Sequence, residues 1–433
     1  MSKRSIVPAS KLWALFVLIF IGLHDIQGQS APAPASSTEI KKPLLRVTML
    51  NGSILRQKRI FLTSYDEDGH GFNAIKAFSV EYGWQMFGGT EWHQTCNYPR
   101  LGVGVQYLHI VDRDELGHPF SVYGFYDGNY IRRKNFEFTN RLSAGFAYGF
   151  RIYDPAAPMA NDIFSTRINS FVELGFGIAA RVRDNVYIEP GFRLTHFSNG
   201  NIREPQNGLN IVSYSIGLRS TLANAPAQPI RTDLPACRHR HEIFGFVGLA
   251  TRQMGFMDNS STLPLETYGM NFLMTNLLLG YHYEASRRLK LGGGLDFIFD
   301  GTHGQQELAL SGMPDKSAIP FQDKLRLAVF ISGETSINRL SIVTTLGYIV
   351  AQTNFKEASP AFQQRLGFKY YFYKNVFAGV NVRAYKFRSA DALEFNIGMR
   401  RFIGNHSQPR AVPFNQDTDF AFRPNFAPSS SIR

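Results

Sequence analysis

Only two cysteines, Cys96 and Cys237, occur among the 433 residues, which excludes a disulfide-rich scaffold. They either pair in an oxidising compartment or stand as separate thiols. Charge is scarce as well: Asp, Glu, Lys and Arg make up 18% of the chain, a fraction that suits strands with one apolar surface better than a soluble helical protein. Beyond the N-terminal segment no run reaches 18 apolar residues, so no later helix is expected to span a membrane. The histidines show neither a His-Glu-x-x-His pair nor other metal-ligand spacing, and neither metal nor cofactor is expected. Asp66-Glu-Asp68-Gly69 is too short and incomplete for a calcium loop. The net charge of +12 is dispersed in small groups such as Arg132-Arg133-Lys134 and Arg287-Arg288. No aromatic-and-basic cassette accompanies it, so a nucleic-acid partner is not expected. A rim that meets anionic headgroups and a merely basic surface both fit.

What the chain does have is aromatic weight and alternation. Lys3, Arg4 and Lys11 precede an apolar run from Leu12 to Leu23, and small residues follow around Gly28. This pattern predicts a signal peptide over 1–28, with a flexible Ala/Pro/Ser lead-in over 29–41. Segments alternating on a period of two then recur at 44–50, 77–86, 101–108, 121–129, 142–152, 171–180, 187–197 and 211–219. A Pro-rich linker over 222–240 interrupts them. A second set follows at 242–251, 271–283, 290–299, 325–331, 340–351, 364–373, 376–385 and 393–402, with an irregular tail over 405–433. Length and dyad pattern together predict an all-β fold, an antiparallel up-and-down outer-membrane β-barrel. Eight strands are expected in the first half, 42–221, and a second β-barrel-like half over 241–404. One barrel of about 14 to 16 strands fits the same segments.

The halves resemble each other. Leu174-Gly-Phe, Asn185-Val-Tyr and Phe192-Arg-Leu-Thr-His-Phe are echoed by Leu366-Gly-Phe, Asn375-Val-Phe and Val382-Arg-Ala-Tyr-Lys-Phe. Lys386 takes the place of His196 and Arg388 that of Ser198, so the chemistry belongs in the first half.

On the strand leading into Thr195-His-Phe-Ser-Asn-Gly200, Glu189 and Arg193 are expected inside a barrel. His196 and Ser198 then share the outward face. Two polar groups continuing an apolar stripe are costly there unless they lie near the interface or act. A neutral imidazole two residues from a hydroxyl can take the serine proton as the oxygen attacks an ester carbonyl.

At this point the chain resembles the outer-membrane lipid A 3-O-deacylase family, also called acyloxyacyl hydrolase. The match lies in His196-Phe-Ser198-Asn199-Gly200 and Pro205-Gln-Asn207-Gly208-Leu-Asn210, with Trp92 and Asn97-Tyr98-Pro99-Arg100 upstream. The resemblance implies an eight-stranded outer-membrane barrel with its catalytic groups facing lipid. It implies Ser198 as nucleophile, His196 as general base, and Asn199 as oxyanion donor with a backbone N–H near Gly200 or Asn201. The family's orienting glutamate falls on Asn210, a departure: an amide fixes an imidazole but supplies no charge. Glu204 is the alternative orienting group. The implied function is a serine esterase that removes an ester-linked 3-hydroxyacyl chain from lipid A, or from a related glycolipid of lipopolysaccharide. The alternative is a non-enzymatic porin-like or structural barrel carrying a degenerated esterase motif.

Overall fold

The computed structural model describes residues 40–55, 74–111, 116–154, 163–222, 229–234, 237, 239–257, 267–310, 316–355, 360–385 and 389–403. The expected signal peptide, most of the lead-in, the tail, Asp66–Gly69, Lys386 and Arg388 lie outside the described residues.

Among the described residues, sixteen strands form two closed antiparallel barrels. The first comprises β1 (Lys41–Ile54), β2 (Ala74–Met86), β3 (Arg100–Ile110), β4 (Gly117–Arg132), β5 (Phe136–Phe150), β6 (Ile168–Arg183), β7 (Val186–Ser198) and β8 (Leu209–Thr221). Pairing of β1 with both β2 and β8 closes it. The second comprises β9 (His241–Met257), β10 (Thr267–Glu284), β11 (Leu289–Asp300), β12 (Leu325–Ile337), β13 (Leu340–Gln352), β14 (Phe362–Tyr373), β15 (Val376–Tyr385) and β16 (Ser389–Ile403). It closes through β16 against β9. Each expected strand falls largely on an observed one, and two barrels replace the single-barrel alternative.

The alternation is inverted relative to a soluble protein. Along β1, Arg46 and Thr48 are buried while Leu45 and Met49 are exposed, and Tyr214, Ile216 and Leu218 line the outside of β8. A closed sheet with an apolar outer band satisfies its backbone internally and its side chains in lipid. The first lumen is filled rather than open. Arg46 pairs with Glu81, Asp127 (2.6 Å) and Glu189 (3.0 Å), and Arg141 with Glu81, Asp127 (3.0 Å) and Glu173 (2.8 Å). Towards the end of the barrel where β7 finishes, this charged layer gives way to an apolar plug that includes Ile110, Phe150, Phe164, Phe171 and Phe197. Cys96 and Cys237 are both free thiols.

The barrels also touch. Leu142, Leu174 and Leu194 point out of the first barrel and pack with Ile337 and Ile342 of the second. At the short-turn end, Arg287 pairs with Glu91 at 2.9 Å and the Arg288 guanidinium donates to the Thr95 carbonyl at 3.2 Å.

Candidate active site

Phe197 decides where its neighbours point. It is 1% exposed, with its ring 5.2 Å from that of Phe150 and 5.5 Å from that of Phe171, inside the apolar plug. Alternation along β7 then forces His196 and Ser198 outward, as it forces Glu189, Arg193 and Thr195 inward. The register sets His196 opposite Val172 on β6 and Asn210 on β8, and Ser198 opposite Ser170.

Across that register His196 Nδ1 lies 2.8 Å from Asn210 Oδ1. The amide oxygen can only accept, so the ring nitrogen donates. A proton fixed on Nδ1 places the imidazole lone pair on Nε2, the form a general base requires. Gly208 completes the ring's seat. It has φ +63°, and a Cβ there would approach His196 Cε1 to 3.1 Å. The Ser170 hydroxyl donates to the Ser198 carbonyl at 2.7 Å and lies 3.4 Å from Ser198 Oγ.

The turn that follows is tightly braced. Gly200 and Asn201 both occupy left-handed backbone, at φ +66° and +67°. Asn199 Nδ2 donates to the Arg203 carbonyl at 2.8 Å and to Ser165 Oγ at 3.3 Å, while its Oδ1 accepts the Asn201 N–H at 2.9 Å. Two of the three expected oxyanion donors, the Asn199 amide and the Asn201 N–H, are therefore engaged within the turn. The Glu204 N–H donates to Gln253 Oε1 of the second barrel at 2.8 Å.

The face carrying His196 and Ser198 is outward but not open. Ser198 is 3% exposed, Asn199 5% and Asn201 7%. The second barrel stands against this side: a Cβ on Gly200 would meet Leu393 Cβ at 2.6 Å. Ser170, Ser165, Gln253 and Leu393 were missed by sequence reasoning. Their proximity is created by strand register and barrel packing, and no short motif carries it.

Among the described residues one group, Glu242, His282 and Glu334 in the second lumen, brings metal-ligand atom types together. Its carboxylates already accept from Lys290 (2.8 and 3.1 Å) and Lys369 (3.0 Å). Two ammonium groups supply the compensating charge, so the cluster reads as an ion-pair network.

The family described as lipid A 3-O-deacylase (PagL) matches residues 76–219, and the family described as acyloxyacyl hydrolase, C-terminal domain, matches residues 240–405. No curated relative matches. Similar solved structures include the outer membrane enzyme PagL, 14% identical, covering 41% of this chain and 99% of its own, with a TM-score of 0.28. They also include the TodX monoaromatic hydrocarbon channel deltaS2 mutant, 8% identical over 86% of this chain and 91% of its own, TM-score 0.16. The COG4313 outer membrane channel from Pseudomonas putida F1 is 7% identical over 87% and 100%, TM-score 0.20.

Proposed function

The chain belongs to the outer-membrane lipid A 3-O-deacylase and acyloxyacyl hydrolase family, and on that premise we propose that it is a serine esterase releasing an ester-linked 3-hydroxyacyl chain from lipid A. It is a β-barrel protein of the bacterial outer membrane. The observation that carries the reading is the 2.8 Å contact between His196 Nδ1 and Asn210 Oδ1, on the same outward face as Ser198. It supplies the tautomer and the ring orientation that acyl transfer needs, with an amide where the family carries a carboxylate.

In this reading Ser198 Oγ attacks the ester carbonyl as His196 Nε2 takes its proton. The tetrahedral oxyanion is held by the Gly200 N–H, aimed by the braced turn, and Asn199 adds its amide by exchanging its bond to Ser165. Collapse breaks the C–O bond, and the leaving sugar oxygen takes the proton from His196. Water, deprotonated by the same imidazole, then cleaves the acyl-enzyme to a free 3-hydroxy fatty acid. Glu204 is assigned no orienting role, because Asn210 already holds the ring nitrogen.

Mass spectrometry of lipid A tests this. Wild-type protein should remove one acyl chain and Ser198→Ala none. No acyl loss with either protein overturns the enzymatic reading in favour of a porin-like or structural barrel.

A further inference from the structure

The second barrel reaches the catalytic turn at two points through one residue. Gln253 lies on β9, between Arg252, whose guanidinium turns inward to Asp391 at 2.7 Å, and the buried Met254. Alternation therefore sends Gln253 outward, onto the surface that a lone barrel would show to lipid. Its side-chain Oε1 accepts the Glu204 N–H at 2.8 Å, and its backbone N–H donates to the Asn201 carbonyl at 3.1 Å.

The strand edge explains the second contact. Pairing of β9 with β10 continues to Met257 opposite Thr267, whereas its pairing with β16 ends at Leu249 opposite Phe395. The edge of β9 beyond Leu249 thus offers main-chain groups that the neighbouring strand does not cover. An unpaired edge at membrane depth is costly, and an extended segment is what such an edge accepts. Here the Asn201 carbonyl of the other barrel meets it. Leu393 of β16 also abuts Gly200 so closely that a Cβ would not fit. The oxyanion turn is thereby held against β9 and β16.

We propose that the second barrel is a positioning element for acyl transfer, with Gln253 as the positioning residue that fixes the 200–204 turn for the developing oxyanion. This rests on the assignment of Ser198 as nucleophile. A clamp on the turn acts where charge develops, so it affects the rate of acylation more than the binding of the acyl chain.

The test uses full-length protein refolded in detergent and a long-chain alkyl fluorophosphonate, which bonds to an activated serine with loss of fluoride. Gln253→Leu removes the side-chain acceptor at similar volume, and Gln253→Glu retains one. We expect the maximal labelling rate of Ser198 to fall about tenfold in Gln253→Leu, with half-saturation unchanged, and to recover to within about twofold in Gln253→Glu. The folded band on unheated gels should be the same for all three. If Gln253→Leu does not fold, Gln253→Asn, one methylene too short to reach Glu204, carries the same expectation. Wild-type labelling at Ser198 with undiminished labelling of the folded acceptor-less variant overturns the positioning role alone. Failure of folded wild type to label at Ser198 overturns the nucleophile assignment and this role with it.

Discussion

In the proposed mechanism, Asn210 tests how far an amide can replace a carboxylate beside the imidazole of His196. A neutral Oδ1 fixes the ring but adds no field to stabilise the imidazolium formed during proton transfer. Asn210→Ala should therefore lower kcat for acyl release about tenfold, the equivalent of ~1.4 kcal/mol of lost positioning. Asn210→Asp should raise kcat above wild type, because charge now accompanies orientation. An alanine variant as fast as wild type would remove Asn210 from the site. His196, Ser198 and Asn210 were legible in the sequence because they sit at fixed spacing around one hairpin. The state of Asn199 and Asn201 was not: which partner a loop amide chooses depends on Ser165 and Arg203, brought in by a different loop and by the path of the turn itself.

At the level of elements, β7 converts the burial of one ring into the outward orientation of His196 and Ser198. Truncation of Phe197 removes a fully enclosed aromatic from the plug, and such changes typically cost about 3–5 kcal/mol. Phe197→Ala should lower the urea midpoint of the refolded barrel. It should also reduce acyl release more than a size-matched truncation on the lipid face, such as Phe146→Ala, does. Equal loss in both variants would show that the plug does not set the orientation of the strand end. Strand existence was readable because alternation survives even where the inward positions carry arginine and glutamate. Strand limits were less readable. β5 begins at Phe136 rather than near Leu142, since inward-facing Glu137, Thr139 and Arg141 make its first turn-proximal residues look like a polar loop. Their burial is explained by partners on other strands, such as Arg100 of β3 with Glu137 at 2.5 Å.

For the whole molecule, the two barrels share one polarity. Short turns close β4–β5, β6–β7, β10–β11, β12–β13 and β14–β15 at one end, which also carries the β2–β3 connection 87–99, while most of the longer connections within the barrels, including 199–208 after β7, lie at the other. Outer-membrane barrels keep short turns on the periplasmic side and long loops outside. The site at the end of β7 therefore belongs at the outer-leaflet level, where lipid A presents its acyl esters, and the contacts of Arg287 and Arg288 lie on the periplasmic side. Neither half shows this polarity by motif. It emerges from comparing connection lengths across both barrels, and the seam between them emerges only from packing. A membrane-impermeant maleimide applied to intact cells separates the two orientations. In a Cys237→Ser background, with Cys96 buried, a cysteine replacing the exposed Arg203 should be labelled. One replacing the exposed Asp184, in the β6–β7 turn, should be labelled only after the cells are opened. The reverse pattern would place His196 and Ser198 in the periplasmic leaflet, away from the lipid the proposed chemistry consumes.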